Sequence, residues 1–301
     1  MPVARAPLGH DPSPRRYLMC EPRYFEVRYA INPWMDTDTP VDRELAGDQW
    51  RTLVETYRDH GHTVETVAPE PGLPDMVFAA NAALVVDGRV FGSSFHAPER
   101  QPESVAYAHW FKEAGYEVHR CESVCEGEGD LVPAGAYVLA GTGFRTRRSA
   151  HREVQEFFGR PVISLDLVDP RFYHLDTALF HLGGEADGGD GTGGGTGDGT
   201  GGGTGDGTGG GNVAYYPAAF SPGSREVLRR LYPDAVIATE EDALAFGLNS
   251  VSDGRHVFIA PQAPALIDQL ADRGYVPVPV DLSEFRKAGG GIKCCTQEIR
   301  S

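Results

Sequence analysis

Ala83-Leu84-Val85-Val86-Asp87-Gly88-Arg89-Val90-Phe91 reads as a β-hairpin, two apolar runs joined by Asp-Gly. A two-residue hairpin turn needs positive φ at its centre, which Asp and Gly tolerate, so this dipeptide between apolar runs is the strongest short-range signal for antiparallel pairing. Met76-Val77-Phe78 leads into the hairpin. A helix is expected from about Pro102 to Ala114, Gly115 ends it, and Tyr116 to Cys121 returns as a strand. The hairpin–helix–strand unit decides the fold because it recurs, with a period of roughly fifty residues.

Unit three has Asp130-Leu131-Val132 and Ala136-Tyr137-Val138-Leu139-Ala140, a helix from Ser149 to Phe158 and a strand from Pro161 to Leu167. Unit four pairs Thr177 to Leu182 with Asn212 to Tyr216, followed by a helix at Ser224 to Leu231 and a strand at Ala235 to Thr239. Unit five repeats Asp-Gly at Asp253-Gly254, between Asn249 to Val251 and Val257 to Ala260. Its helix is Pro264 to Ala271 and its strand Tyr275 to Val280. Unit one, first in the chain, has a strand-like run from Tyr24 to Ile31. Its helix spans about Val41 to His60, with Leu45, Trp50, Leu53, Val54 and Tyr57 near helical spacing, and its strand is His62 to Val67.

None of these units can bury its apolar face alone, so five copies predict a closed ring about a pseudo-symmetry axis, a five-bladed α/β propeller. A doubly wound parallel sheet is the alternative, and the hairpins argue against it, since parallel strands need crossovers. The expected layout is one domain at residues 18–301 behind a flexible lead-in at 1–17. Within unit four, Gly183 to Gly211 repeats Gly-Asp-Gly-Thr-Gly-Gly-Gly-Thr. It lacks the apolar residue per turn that glycine-aspartate β-helix repeats require. It is expected to be a disordered, dispensable insertion between two paired strands.

Lys and Arg total 27 against 43 Asp and Glu, a formal charge of -16. That balance argues against nucleic acid or an anionic membrane as the main partner and suits a soluble protein that attracts a small cationic ligand. No apolar run is long enough for a membrane span, and Met1 to Arg16 has no hydrophobic stretch of a secretory signal. The five cysteines, Cys20, Cys121, Cys125, Cys294 and Cys295, are no disulfide framework and fit a reducing cytoplasm. Cys121 and Cys125 lack a second pair at zinc spacing, and no phosphate-binding glycine loop follows a strand, so neither metal nor cofactor is expected. Homo-oligomerisation is left open.

If the ring closes, equivalent loops meet at one cavity. Their polar residues are Asn32, Asp75, Asn81, Arg100, Glu126, Glu128, Asp130, His174 and Asp176, joined by the C-terminal loop Gly289-Gly290-Gly291-Ile292-Lys293-Cys294-Cys295-Thr296. Three glycines allow close approach to a ligand, so Cys294 is a candidate nucleophile; the plainer reading is two buried cysteines that close a core strand. His174-Leu175-Asp176 opens a strand, which turns its outer members to one face. A His across a cavity from a Cys is the arrangement of an activated nucleophile, although a hydrogen-bonded structural His looks the same in sequence. Glu126-Gly127-Glu128-Gly129-Asp130 is either a set of carboxylates for a cationic substrate or an acidic turn.

Together Pro74-Asp75-Met76-Val77-Phe78 with Asn81, Glu126-Gly127-Glu128-Gly129-Asp130, His174-Leu175-Asp176-Thr177 and Gly289 to Cys294 match an ordered set. From about Leu18 to Arg300, apart from the glycine insertion, the chain resembles the guanidine-modifying (pentein) superfamily of arginine and agmatine deiminases, dimethylargininases, arginine dihydrolases and amidinotransferases. The resemblance implies the five-bladed fold and cofactor-free hydrolysis of guanidinium C–N bonds through a covalent thiouronium. Cys294, His174 and Glu126 would be the catalytic set, with Cys294 attacking the guanidinium carbon and Cys295 its neighbour. His174 would protonate the leaving nitrogen and then activate water. Asp176 and Glu126 would hold the guanidinium and Arg100 the substrate's α-carboxylate. Asn32, Asp75, Phe78, Asn81, Asp130 and Glu128 complete the expected substrate pocket. Relatives with Glu-Gly-Gly-Asp are one residue shorter here, which leaves Glu126 and Glu128 open for one role. Asn81, where deiminases and dimethylargininases usually carry a carboxylate, with Asn32 and Arg100 resembles arginine dihydrolase, which takes arginine to ornithine, ammonia and carbon dioxide. Dimethylargininase is the enzymatic alternative, an amidinotransferase a further one. A binding protein on the same fold would be expected to lack the Cys–His pair.

Overall fold

Asp87 and Gly88 both take positive φ, 52° and 67°, and the strands on either side pair antiparallel from Val86↔Arg89 to Ala83↔Gly92. The computed structural model describes residues 12–183 and 211–301. In chain order, β1 (Arg16–Cys20), α1 (Arg43–Asp59) and β2 (Thr63–Val67) form the first unit. The second is β3 (Ala83–Val86), β4 (Arg89–Gly92), α2 (Glu103–Glu113) and β5 (Val118–Arg120). The third is β6 (Leu131–Ala134), β7 (Tyr137–Thr142), α3 (Arg148–Phe158) and β8 (Val162–Asp166). The fourth is β9 (Leu179–His181), β10 (Val213–Tyr215), α4 (Pro222–Leu231) and β11 (Val236–Ile237). After the short α5 (Glu240–Leu244), the fifth is β12 (Val251–Ser252), β13 (His256–Ile259), α6 (Pro264–Asp272) and β14 (Val276–Pro279). The chain ends with α7 (Ser283–Arg286) and β15 (Gln297–Glu298).

Among the described residues these strands make five three-stranded sheets of one design. The first two strands are antiparallel, and the second pairs in parallel with a third that returns after a helix. The helices are amphipathic by necessity, with one face on a sheet. In α1, Ala46, Trp50, Leu53, Val54 and Tyr57 are buried, while Leu45, expected with them, is exposed. Asp42 caps that helix by accepting from the Leu45 N–H at 3.0 Å. Among the described residues no helix is long and apolar enough to cross a membrane.

The first sheet departs from expectation. Residues 24–31 are not a strand; β1 lies upstream, and Arg16 and Tyr17 belong to it rather than to a lead-in. Its antiparallel partner is β15, with Tyr17↔Glu298 and Leu18↔Gln297, so the two ends of the chain complete one sheet. The alternation over residues 24–31 serves loop packing instead: Phe25 stacks on Phe285 with ring centroids 4.9 Å apart. Residues 1–11 and, apart from its end residues, the glycine insertion lie outside the described residues. On either side of that insertion β9 and β10 are paired, and the Leu182 N–H donates to the Asn212 carbonyl at 2.7 Å.

Candidate active site

Each sheet's first hairpin strand, and β15 in the first sheet, is preceded by a tight turn, and the candidate residues sit on these turns. Ala79–Ala82 carries Asn81, Gly127–Gly129 is flanked by Glu126 and Asp130, and Leu175–Thr177 follows His174 and carries Asp176. Residues 246–249 precede β12, and residues 292–295 precede β15. Hydrogen bonds run from turn to turn and return to their start. Asn81 Nδ2 donates to the Glu126 carbonyl at 3.4 Å, and the Leu175 N–H donates to Asp130 Oδ1 at 3.0 Å. Asn249 Nδ2 donates to the Asp176 carbonyl at 3.1 Å, the Cys294 N–H to Asn249 Oδ1 at 3.1 Å, and the Ala80 N–H to the Cys294 carbonyl at 3.0 Å. Gly127 allows a close approach between turns: it has φ +53°, and a Cβ there would stand 2.6 Å from the Ala83 carbonyl oxygen.

The thiol of Cys294 is buried in this ring. Its Sγ donates to Asp176 Oδ2 at 3.4 Å and accepts from Asn249 Nδ2 at 3.1 Å. Burial, with the Asp176 charge beside it, pushes the thiol well above its ordinary range. Burial also pushes the Asp176 carboxyl up to about 6, against the opposing pull of His174 and Lys293. Asp176 Oδ1 makes no hydrogen bond among the described residues. The loop ahead of Cys294 passes directly over Phe78, where a Cβ on Gly290 would lie 2.1 Å from the ring's Cε1. Phe78 thus braces the nucleophile loop.

His174 Nε2 and Glu126 Oε2 are 2.6 Å apart, both buried. Glu126 Oε1 accepts from the His96 N–H at 2.9 Å, with Arg145 Nη1 at 3.6 Å. Burial alone would raise the Glu126 carboxyl, but the hydrogen bond and charge of His174, with Arg145 and Arg100, hold it well below the usual carboxylate range. His174 Nδ1 makes no hydrogen bond among the described residues. An imidazole fixed by a carboxylate on one nitrogen is oriented for proton transfer through the other.

Several expected substrate contacts are spent on the protein itself. Glu128 is turned to the chain's end, where it accepts from Lys293, Arg300 and the Glu298 N–H, so Glu126 and not Glu128 faces His174. Asp130 is likewise engaged by the backbone. Its Oδ1 takes the Leu175 N–H and its Oδ2 the Thr146 N–H at 3.2 Å, which fixes the turn behind His174. Arg100 donates to both oxygens of buried Glu103 at 2.8 to 3.2 Å, to Asn81 Oδ1 at 2.8 Å and to the Asp75 carbonyl at 3.2 Å. Its charge is therefore matched, and its free hydrogen-bonding capacity is small. Asp75 Oδ2 accepts from Tyr29 at 2.8 Å, and burial pushes the Asp75 carboxyl up.

Asn32 lies on a segment held over the ring at several points. Its Nδ2 donates to the Ala288 carbonyl at 3.0 Å, Trp34 Nε1 to the Arg171 carbonyl at 2.8 Å, and Arg145 to the Ile31 carbonyl. Asn249, Glu103 and Arg145 were not foreseen. For Asn249 a signal existed: it occupies the place before β12 that Asn81 occupies before β3.

A thiol against a carboxylate and a carboxylate-held imidazole, on turns bonded into one ring, suit covalent attack on a cationic carbon centre. No family profile matches the chain. A dimethylarginine dimethylaminohydrolase of Mycobacterium tuberculosis is 45% identical over 301 residues, 99% of this chain and 91% of that protein. A bifunctional arginine dihydrolase/ornithine cyclodeaminase of Synechocystis is 35% identical over 94% of the chain, which spans 37% of that protein's length. The N-terminal domain of the arginine dihydrolase ArgZ, solved covalently bound to a reaction intermediate, superposes with a TM-score of 0.82 at 33% identity, covering 95% of this chain and 97% of that one.

Proposed function

The chain belongs to the guanidine-modifying hydrolases that include dimethylargininases and arginine dihydrolases, and we propose that it hydrolyses the guanidinium of L-arginine or of an N-methylated arginine through Cys294. The observation that carries this reading is the Cys294 sulfur 3.4 Å from Asp176 Oδ2, on the same ring of turns as the 2.6 Å His174–Glu126 pair.

In this mechanism Asp176 and Glu126 receive the guanidinium N–H groups, and the positive substrate helps the buried thiol to ionise, its proton passing to His174. The Cys294 sulfur bonds to the guanidinium carbon. Protonated His174 gives its proton to one terminal nitrogen, whose C–N bond breaks, releasing ammonia from arginine or the amine from a methylated substrate. Water, deprotonated by His174, then attacks the thiouronium carbon; the C–S bond breaks, and citrulline forms. A second round on citrulline gives ornithine, ammonia and carbon dioxide. Asn81 in place of a carboxylate supports this second round, because an amide adds no negative charge where a neutral ureido group must stay. The near-full-length likeness to a dimethylargininase favours the single round with dimethylamine as leaving group. Glu126, His174, Asp176 and Cys294 are at most 2% exposed, so substrate entry needs the site to open.

The five like sheets and the closed ring of turn-to-turn hydrogen bonds support a five-bladed propeller with the site at its axis. The scarce, unpaired cysteines support a cytoplasmic setting.

Incubation of the protein with L-arginine, asymmetric dimethylarginine and citrulline, with every nitrogen product quantified, tests the reading. Ornithine and two ammonia per arginine establish the dihydrolase, and citrulline with dimethylamine the dimethylargininase. Activity that survives Cys294→Ala, or inertness toward all three substrates, overturns the proposal. Cys295→Ala is expected to leave turnover within about threefold, since its neighbour carries the chemistry.

A further inference from the structure

We propose that Asn249 is a further catalytic residue, whose side-chain amide donates to the Cys294 sulfur and stabilises the thiolate as it forms; this rests on Cys294 being the nucleophile.

Asn249 is fully buried, and its amide is oriented by its partners. The Cys294 N–H is a donor, 3.1 Å away, and must meet Oδ1; the Asp176 carbonyl is an acceptor, also 3.1 Å away, and must meet Nδ2. A flipped amide would set donor against donor and acceptor against acceptor. With the orientation settled, one Nδ2 hydrogen goes to Asp176 and the other to Cys294 Sγ at 3.1 Å.

In the resting state the thiol proton points at Asp176 Oδ2, 3.4 Å away. Once that proton leaves, a sulfur anion faces a carboxylate in a buried site. A neutral thiol is a weak acceptor and a thiolate a strong one, so the Asn249 bond strengthens as charge develops. The backbone at Gly291 supports the sulfur in the same sense. Because the donor is fixed before the reaction, its stabilisation needs no rearrangement.

The test reads the sulfur directly. Alkylation of Cys294 by iodoacetamide in the ligand-free enzyme is followed at fixed pH by peptide mass, beside kcat and KM for Asn249→Asp and Asn249→Ala. Asn249→Asp keeps the shape and the acceptor for the Cys294 N–H but replaces the donor with a carboxylate oxygen. Its alkylation rate is expected to fall about tenfold, the equivalent of one pKa unit, with a similar or larger loss in kcat and KM within about threefold. Asn249→Ser, which restores a hydroxyl donor on a shorter side chain, is expected to recover part of the alkylation rate and serves if the Asp variant does not fold. Unchanged alkylation in the folded variants, whatever happens to kcat, makes Asn249 a brace only and overturns the proposal. Failure of the nucleophile reading shows separately, as turnover by Cys294→Ala.

Discussion

Glu126 and Glu128, separated by a single glycine, serve different partners: Glu126 holds His174 Nε2 at 2.6 Å, and Glu128 gathers Lys293, Arg300 and the Glu298 N–H. Gly127, at φ +53°, turns the chain between them. Glu126→Gln is expected to lower kcat by about 10² with the fold intact, because it weakens the 2.6 Å contact that keeps the imidazole oriented. Glu128→Gln is expected to cost about 3 kcal/mol in urea unfolding, because it leaves two partly buried cations without their shared carboxylate. Swapped results would reverse the two roles.

Asp176 is the group to watch as pH changes. Burial sets its carboxyl at about 6 in the folded protein, above its ordinary value, so over that interval the folded state holds a proton the unfolded chain has lost. Its contribution to stability is therefore complete in acid and lost as pH rises through about 6. Glu126, held below its ordinary value, works in the opposite sense: its contribution is present above that value and lost as pH falls. Asp176→Asn is expected to add about 1–3 kcal/mol at pH 8, with the gain vanishing toward pH 4, while turnover collapses. In the unaltered enzyme kcat/KM is expected to fall below about pH 6, as Asp176 becomes neutral and ceases to hold a guanidinium. Urea titrations at pH 4 and 8 and a pH–rate profile check both.

Gly290→Ala tests the contact between the nucleophile loop and Phe78. The added methyl would meet the ring at 2.1 Å, so ring or loop must move, with an expected cost of about 1–3 kcal/mol and loss of activity. Combining it with Phe78→Ala is expected to recover part of both losses. Strict additivity in thermal unfolding would show that the two sites do not meet.

The parts of the fold that local chemistry determines were legible in the sequence. Asp87-Gly88 announced its hairpin, and the helices fell within a few residues of their expected spans. The first sheet was not legible, because the partner of Tyr17 and Leu18 is Glu298 and Gln297 at the far end of the chain, and no nearby pattern records it. His174, Asp176, Glu126 and Cys294 stood out as an ordered motif set, and the structure brings them to one ring. Arg145 did not, since an Arg in a loop looks like any surface residue until its partners are known, and Asn249 could be found only by comparing its place before β12 with that of Asn81 before β3. Arg100 was expected, from the resemblance, to meet the substrate's α-carboxylate, and its pairing with Glu103 on the next helix shows only in the fold.

Cys294 stands three residues ahead of β15, a strand of two residues whose pairing with β1 completes the first sheet. Sheet closure and chemistry thus hang on one short segment, and the other four sheets hold together without it. The enzyme is therefore expected to lose activity before it melts. In mild denaturant, detachment of that segment would carry the sulfur away from Asp176 and Asn249 while most of the circular-dichroism signal of the folded state remains, and coincident loss of activity and signal would overturn this expectation. Residual activity is then a gauge of whether the ends of the chain are fastened, and a preparation that looks folded by circular dichroism is not thereby an active one.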